Sequence, residues 1–427
     1  MGSVDQKQFS VAIIGAGLAG LSLAIGLHRR GVTSHVYDAA PKFLDIGAGL
    51  SFAVNSLKAL EAVDQECYEL FKKRCEGMSL KKDVYMTFRD GMGDGEPVTT
   101  LYCKGSGQQA VHRTLLVKDM TKLMPENTLH MGKKLRDITK TPAGGYILDF
   151  EDDTTEEFDV VLGADGIKSR VRQILLGEDN PDSYPKFSGE FAYRDLVPME
   201  TACEVLGEEF ARNGNVNMGL GGLTTSYPVE GGSMLNLVAA RDAETWDHAE
   251  WVIPSDVAKI QEEFKGYGSK IQQLISLFKD PKAFALFHHP HTSTFYSGRL
   301  AIIGDAAHAA TPHQGAGCGQ AFEDALILCE LLSDESVRAP EDVQRALAAY
   351  DAIRRPHTLR VVETSRENGA ICMMKGPTTG EDWGKIKANL DKRFEWMWRV
   401  PPVADVPILH SSSTKLSLLT LVIGTTI

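Results

Sequence analysis

The chain has 427 residues, of which 43% are hydrophobic and 24% charged, and its formal net charge is −12. This length predicts two or three structural units, and the composition is that of an ordinary globular protein. The negative charge argues against nucleic acid and anionic membranes as partners, because both attract a basic surface. Seven scattered cysteines without a C-x-x-C pair favour neither a disulfide framework nor a zinc site, and they fit a cytoplasmic compartment.

The N-terminal segment predicts a β-α-β unit with its strand, helix and strand over residues 10–14, 18–30 and 34–38. The turn before the helix is Gly15-Ala-Gly17-Leu-Ala-Gly20, and the second strand ends at Asp38. Glycines at this spacing let a pyrophosphate approach the helix N-terminus, and the acidic residue can accept hydrogen bonds from a ribose. The pattern therefore indicates a dinucleotide site, with a purely structural glycine turn as the alternative.

The middle of the chain changes character twice. A glycine-rich turn at 45–49, a helix at 54–63, a hairpin-like stretch at 81–113 and two strands within 144–162 come first. Strands are then predicted at 187–197, 215–228 and 233–240, before a helical piece at 255–278. We expect an α/β fold with a discontinuous dinucleotide-binding domain at 8–180 and 286–370. A substrate-binding β-sheet domain at 181–285 would be inserted into it, and 371–427 would form a C-terminal helical region and tail.

A second glycine-bearing segment follows the inserted domain. Asp305 comes directly after a buried strand and a glycine, where its carboxylate could bond a hydroxyl of a ribityl chain. Gly315, Gly317 and Gly319 then expose backbone N–H groups at the start of a helix predicted at 318–335. The positive end of that helix would stabilise negative charge on a reduced flavin ring. A simple glycine loop is the alternative.

Three segments together resemble the signatures of the FAD-dependent class A aromatic hydroxylases, which include para-hydroxybenzoate and salicylate hydroxylases. They are the glycine motif at 15–20, Val-Leu-Gly-Ala-Asp-Gly at 161–166 and Gly-Asp-Ala-Ala-His at 304–308. The resemblance covers about residues 10–370 and is closest to the salicylate hydroxylase branch. It implies a Rossmann-like FAD domain with an inserted antiparallel sheet, bound FAD, and NADPH or NADH and O₂ as transient co-substrates. A flavin hydroperoxide would transfer oxygen to the substrate.

The resemblance also implies roles for individual residues. Arg113 matches an arginine that reaches the FAD, and Gly49 matches a turn near the flavin. The backbone at Gly317 and Cys318 matches the contact with the ring. Asp165 matches a segment linked to both FAD and NADPH, although capping of the following helix is an equal alternative.

Arg194 and Tyr227 lie in predicted strands that could line one pocket. Their spacing resembles that of the fungal dearomatising hydroxylases of tropolone and azaphilone pathways, in which the matching residues act at the active site. An arginine there could hold a phenolate, and Tyr227 could orient it. The alternatives are an ion pair between Arg194 and Asp195, and a core tyrosine with a satisfied hydroxyl.

Histidines and arginines in the C-terminal half have simpler interpretations. His288, His289, His291, His308 and His313 lack acidic or cysteine partners at ligand spacing, so packing or flavin-side roles are favoured over a metal site. The basic residues between 354 and 366 are most simply a solvated helix face.

The sequence therefore predicts an FAD-dependent, NAD(P)H-consuming monooxygenase of secondary metabolism. Its substrate would be a small phenolic molecule, salicylate-like or polyketide-like, hydroxylated with or without dearomatisation. The alternatives are a flavin-dependent epoxidase of a prenylated or terpenoid substrate and a non-catalytic flavin-binding protein. The oligomeric state is left open between a monomer and a homodimer.

Overall fold

The computed structural model describes residues 7–42, 49–75, 83–104 and 107–398. In chain order, strands β1–β19 are Val11–Ile14, Ser34–Asp38, Gly49–Phe52, Val84–Asp90, Pro97–Tyr102, Gln109–His112, Leu129–Met131, Leu135–Lys140, Tyr146–Phe150, Thr155–Phe158, Val160–Gly163, Lys186–Pro198, Asn215–Gly219, Gly222–Val229, Met234–Asp242, Val252–Pro254, Lys282–His288, Tyr296–Ser297 and Leu300–Ile302. Helices α1–α14 are Leu18–Arg29, Val54–Val63, Gln65–Cys75, Arg113–Met120, Arg170–Leu176, Met199–Leu206, Glu208–Ala211, Val257–Glu263, Ser269–Ile275, Asp305–His308, Gly317–Ser333, Pro340–Cys372, Trp383–Arg393 and Glu395–Trp398. The predicted turn at 45–49 is described only at Gly49, and the predicted tail beyond residue 398 lies outside the described residues.

A six-stranded sheet in the order β18-β19-β11-β1-β2-β7 forms the first layer. Its central strand β1 is fully buried and apolar, as expected of a strand covered on both faces. β1 pairs in parallel with β2 and β11, and β11 pairs in parallel with β19. The carboxyl ends of these strands therefore meet at one edge of the sheet, which brings the three sequence signatures together. The α/β fold is confirmed.

The second large sheet has eight strands in the order β16-β17-β12-β15-β14-β13-β4-β5. It is antiparallel except where β13 pairs in parallel with β4. Five of its strands, β12 to β16, lie within the predicted insertion, β17 crosses the predicted boundary at residue 285, and the hairpin β4–β5 comes from the segment assigned to the first domain. Strands from the predicted dinucleotide-binding domain and from the predicted insertion therefore share one sheet, and the described strands of the two pair without a gap. The domain boundaries 8–180, 286–370 and 181–285 stay predictions.

Side chains alternate between the two faces of this sheet. Tyr193 and Leu237 belong to a core covered by α6 to α9, and the neighbouring Ala192 and Ala240 face the first domain. Helices α6 and α7 were not predicted. The helical piece predicted at 255–278 is two helices, because the chain turns at Gly266–Gly268, where Gly268 packs against the backbone of Gly93.

Three smaller features complete the architecture. Strands β8–β10 form an antiparallel sheet, and β3 pairs with β6. The strand predicted from Phe158 onward divides at Asp159, whose carboxylate accepts hydrogen bonds from the backbone and hydroxyl of Ser10. Within the described ranges, no helix combines the length and apolar character needed to cross a bilayer.

Candidate active site

The first glycine turn contains two kinds of glycine. Gly15 has φ +110°, and a Cβ there would lie 2.3 Å from the carbonyl oxygen of Ala164. A Cβ at Gly20 would lie 1.9 Å from the carbonyl oxygen of Gly15, so tight packing explains both. Gly17 is different: its nearest described neighbour is Arg113 Nη2, 3.8 Å from the Cβ position. Open space therefore lies in front of the N-terminus of α1.

Asp38 holds this turn in place. Its Oδ2 accepts a hydrogen bond from the N–H of Ala16 at 2.7 Å, and its Oδ1 accepts one from the N–H of Ala40 at 2.8 Å. Each carboxylate oxygen retains capacity for another hydrogen bond. The contact of Asp38 with a ribose stays a prediction.

Asp165 lies beside the same turn, since its Cα is 3.0 Å from the Cβ position of Gly15. Its carboxylate accepts hydrogen bonds from the Ser169 hydroxyl at 2.5 Å and from the N–H groups of Arg170 and Val171 at 2.7 and 3.1 Å. The helix-capping alternative is therefore what the structure shows for this side chain. Burial nevertheless raises the pKa of Asp165. A direct contact with the cofactor stays a prediction.

Gly49 and Arg113 are brought together by the pairing of β3 with β6. Gly49 lies opposite His112, the residue before Arg113. A Cβ at Gly49 would lie 2.6 Å from Cγ1 of Val229, so only glycine lets β3 approach the large sheet this closely. The Arg113 side chain is exposed at the start of α4 and points towards the open space at Gly17.

The second glycine segment follows β19. Asp305 is the exposed first residue of α10, and Gly315 has φ +61° with Tyr85 Oη 2.7 Å from its Cβ position. Gly317 is the first residue of α11, and no described atom lies within 4 Å of its Cβ position. Burial raises the pKa of the Cys318 thiol to about 12, with Asp305 raising it further and Arg113 lowering it. The Cys318 thiol is therefore neutral, and the contact of the Cys318 backbone with the flavin ring stays a prediction.

A buried polar network behind this segment was missed by the sequence reasoning. Asp324 accepts hydrogen bonds from the N–H of Gly304 at 2.9 Å and from Arg354 Nε at 2.8 Å, and it pairs with His308 Nε2 at 2.6 Å. Arg354 also pairs with Glu323 and is 4% exposed. The prediction of a solvated basic face is thus wrong for Arg354. An acidic pair in an apolar helix, Glu323-Asp324, was the available signal.

A cavity of about 230 Å³ lies between the start of α11 and the large sheet. Its walls are mostly apolar and include Phe88, Leu223, Leu286 and Phe394. The predicted site residues that line it are Gly49, Arg194, Tyr227, Asp305, Gly315, Gly317 and Cys318. Those that do not line it are Gly15, Gly17, Gly20, Asp38, Arg113 and Asp165. The site is therefore extended, with the cavity at one end and the first glycine turn at the other.

Arg194 is a cation without an anionic partner in the described part of the chain. Its Nε is buried without a hydrogen-bond partner, and its guanidinium lies 5.3 Å from the centre of the Phe284 ring. Asp195 points to the other face of β12 and accepts hydrogen bonds from the N–H groups of Lys279 and Asp280. The alternative of an Arg194–Asp195 ion pair is therefore wrong. Burial lowers the pKa of Arg194, as expected where an anion is missing.

Tyr227 faces the same cavity. Its hydroxyl donates a hydrogen bond to the carbonyl oxygen of Gly49 at 2.8 Å. Burial raises the pKa of Tyr227 to about 12, and Arg194 acts in the opposite direction. The hydroxyl is thus satisfied, as the core-tyrosine alternative requires, and its action on a substrate stays a prediction.

The histidines have individual partners. His308 pairs with Asp324, His291 Nδ1 with Asp182 Oδ2 at 2.7 Å, and His289 Nε2 with the carbonyl oxygen of Ile167 at 3.0 Å. His313 pairs with Glu190 and lines the cavity. Across the described ranges, no group of three or more His, Cys, Asp or Glu side chains is arranged to hold a metal ion.

The geometry fits the FAD implied by the resemblance. Open backbone at Gly17, beside the guanidinium of Arg113, suits an anionic pyrophosphate at a helix N-terminus. Open backbone at Gly317, at the N-terminus of the 17-residue α11, suits a ring that carries negative charge when reduced. Side chains at these two positions would fill the space.

Comparisons with known proteins agree with this arrangement. A family model described as FAD binding domain matches residues 8–183 and 279–365. The 6-methylsalicylate 1-monooxygenase atA of Aspergillus terreus is 40% identical, over 92% of this chain and 89% of the relative. The FAD-dependent monooxygenase pigN of Monascus ruber is 36% identical, over 92% of this chain and 94% of the relative. A solved salicylate hydroxylase substrate complex has a TM-score of 0.85 and 31% identity, and the match covers 95% of this chain and 98% of the other.

Proposed function

This chain belongs to the FAD binding domain family and is an FAD-dependent aromatic monooxygenase of the salicylate hydroxylase type, and we propose that it hydroxylates a small salicylate-like phenol. NADPH or NADH supplies the electrons and O₂ the oxygen atom. The similar relatives named for 6-methylsalicylate and salicylate support this substrate class.

The observation that carries the proposal is Arg194, which has no anionic partner among the described residues and lines a mostly apolar cavity. An isolated buried cation is costly unless an anion compensates it. A bound carboxylate or phenolate would provide that anion, and the planar guanidinium can bind two oxygens at once. The cavity is lined by Phe88, Leu223 and Leu286, which suit the apolar faces of an aromatic ring.

The chain's own residues would bind, orient and shield this substrate. Arg194 stabilises the charged oxygen and thereby favours a phenolate, whose ring carbons are electron-rich. Tyr227 and β3 close one side of the cavity through their hydrogen bond, and Phe394 contributes to another side. The apolar walls exclude water. FAD, when bound, supplies the transfer of electrons from the nicotinamide and the activation of O₂.

Dearomatisation is part of the proposal as one of two outcomes. Oxygen transfer to a ring carbon that bears hydrogen or a carboxylate leaves an aromatic product, because the hydrogen is lost as a proton or the carboxylate as CO₂. Transfer to an alkyl-substituted carbon leaves a dearomatised product, because no proton can be lost there. The position of the substrate relative to Arg194 therefore decides between the outcomes, and the product structure reports that position.

The test is NADPH and NADH oxidation by the FAD-loaded protein with salicylate, 6-methylsalicylate and 2,4-dihydroxybenzaldehyde, together with product mass. A prenylated indole without a phenol is the comparison substrate for the epoxidase alternative. We expect substrate-dependent oxidation only with the phenols, and each product should have gained one oxygen atom, with CO₂ lost as well where the carboxylate-bearing carbon is attacked. Turnover of the indole alone, or no substrate-dependent oxidation at all, would overturn the proposal.

A further inference from the structure

A carboxylate–imidazole pair stands in the wall of the cavity. His313 belongs to the short 3₁₀ turn Pro312–Gln314, and its Nε2 contacts Oε2 of Glu190 on β12. The two side chains are 4% and 10% exposed. Asn368 Nδ2 donates a hydrogen bond to the carbonyl oxygen of His313 at 2.8 Å. Gly369 leaves room for the ring, because a Cβ there would lie 2.5 Å from Cδ2 of His313. The imidazole is therefore held firmly.

Glu190 lies on the same face of β12 as two residues of the cavity, Ala192 and Arg194. Four residues of extended strand span about 13 Å, so Glu190 is too far along the strand to neutralise Arg194. The anion instead pairs with His313. The cavity wall therefore contains two different functional groups. One is the Arg194 guanidinium, which has no anionic partner among the described residues, and the other is the His313 imidazole, which is paired with Glu190.

The hydrogen bond to Glu190 determines which nitrogen of His313 can act. With Nε2–H donated to the carboxylate, the neutral ring carries its lone pair on Nδ1. No hydrogen bond to Nδ1 is formed by the residues that the structure describes. A carboxylate on the far nitrogen stabilises the imidazolium that forms when Nδ1 takes up a proton. The pair therefore has the arrangement of a general base.

We propose that His313 accepts the phenolic proton of the substrate and that Glu190 is the positioning residue that supports it. The substrate O–H bond breaks, a new N–H bond forms at Nδ1, and the electron pair stays on the phenolate oxygen. In an aromatic product the proton returns to the phenolate oxygen. In a dearomatised product that oxygen is a carbonyl, and the proton is used in forming water from the second oxygen atom of O₂. The inference rests on the proposed function, because it needs a phenol in this cavity.

The charged and titratable groups around the pair come from several elements. Glu190 and His288 interact, and Lys186 and Arg366 lie near His288. Cys372 lies near Glu190 and Arg393, and burial raises the pKa of its thiol to about 12, so it stays neutral. Besides Glu190 and these cations, the nearby charged groups include the anions Asp305, on the cavity wall, and Glu367, which pairs with Arg393. All of these groups other than Glu190 are the same in the wild type and in the variants. A difference between the wild type and a variant of Glu190 or His313 therefore reports the effect of this pair.

The test measures protons and ligand charge without turnover. 2,4-Dihydroxybenzaldehyde is titrated into the FAD-loaded protein without NAD(P)H, at a pH where the free ligand is neutral. Difference absorption reports the bound phenolate, and calorimetry in two buffers of different ionisation enthalpy reports the protons released. We expect the wild type to bind the phenolate with close to no net proton release, because the proton stays on His313. Release of one proton per bound phenolate, or binding of the neutral phenol, would contradict the proposal.

Two variants separate proton transfer from a structural role. Glu190→Gln keeps a hydrogen-bond acceptor for Nε2–H but removes the charge, so we expect the fold to persist and the phenolate fraction to fall about tenfold. His313→Gln should bind neutral phenol or release one proton per phenolate. Unchanged spectra and proton balance in both variants would show that the pair is only structural. His291→Gln removes an exposed histidine paired with Asp182 outside the cavity and should match the wild type.

Failure of the inference and failure of the proposed function have different signatures. Retained phenolate binding without substrate-dependent NAD(P)H oxidation in the wild type would reject the hydroxylase proposal and leave the proton transfer in place. Normal hydroxylation with one proton released per bound phenolate would reject the role of His313 as the proton acceptor and would leave the hydroxylase proposal in place.

Discussion

The hydroxyl of Tyr227 donates a hydrogen bond to the carbonyl oxygen of Gly49 across 2.8 Å, and this bond ties the large sheet to β3. The sequence assigned one residue to the substrate and the other to the cofactor. Their direct contact means that the tyrosine proton is already engaged before any substrate binds. A change at Tyr227 should therefore act on β3 as well as on the substrate.

Tyr227→Phe should lower the free energy of unfolding by about 1 kcal/mol, because one buried hydrogen bond is lost. We also expect a higher KM, because β3 forms one wall of the cavity. Denaturant unfolding and steady-state kinetics measure the two effects. Tyr267→Phe is the control, since Tyr267 is equally buried at 9% exposure and donates to the carbonyl oxygen of Leu220 at 2.8 Å outside the cavity. An equal rise in KM in both variants would refute a local effect.

Arg194→Met should raise the KM for an anionic phenol by about 10- to 100-fold, the value of a charge-assisted hydrogen bond. The free energy of unfolding should stay equal or rise, because an unpaired buried cation is replaced by an apolar side chain. Kinetics with salicylate and chemical denaturation test the two expectations.

The control for this change is Arg241→Met. Arg241 lies over the ring of Phe264 and donates to Tyr267 Oη at 2.9 Å, away from the cavity walls. Its loss should leave the KM unchanged. A large destabilisation in Arg194→Met would mean that Arg194 has a structural partner.

Gly17→Ala should leave the protein folded but weaken FAD binding about tenfold or more. Gly17 has φ −75°, which alanine adopts freely, and the added methyl group would extend into the open space where a pyrophosphate fits. Absorbance of bound flavin and circular dichroism measure the two properties. Gly266→Ala, also with open space around its Cβ position, should retain normal FAD binding. Normal FAD affinity in Gly17→Ala would place the pyrophosphate elsewhere.

Acid should destabilise the folded protein in part through His289. Burial lowers the pKa of His289 from 6.5 to about 3. As pH falls below 6.5, the unfolded chain therefore takes up a proton that the folded protein does not. The stabilisation that the folded protein gains by holding His289 neutral is fully present above pH 6.5. The free energy of unfolding then falls progressively as the pH drops towards 3.

Replacing His289 and measuring the free energy of unfolding as a function of pH tests this expectation. His289→Gln should reduce the loss of unfolding free energy between pH 7 and pH 5 by about 1–2 kcal/mol. His248→Gln, at an exposed position, should keep the wild-type slope. Identical slopes in all three proteins would mean that His289 is not held neutral in the fold.

The sequence alone determined the features that depend on neighbouring residues. Glycine spacing, strand ends and helix starts are local, so the turns at Gly15–Gly20 and Gly315–Gly319 and the position of Asp38 at the end of the second strand were found without a structure. The contact of Asp38 with the turn was not predicted. Local reasoning failed where a helix boundary or a partner depended on distant packing, as in α6, α7 and the buried Arg354.

Only the tertiary structure decided which residues share a cavity and which remain unpaired. Strand pairing places the hairpin β4–β5 beside β13 and sets Glu190 opposite His313, which lies 123 residues away in the chain. It also sends Asp195 to the opposite face from Arg194 and leaves the Nε of Arg194 without a hydrogen-bond partner among the described residues. Spacing cannot reveal these facts, because a side chain's charge partner is set by how distant strands and turns pack. The sequence specified a dinucleotide turn and its chemistry; packing specified the cavity where a phenol would bind.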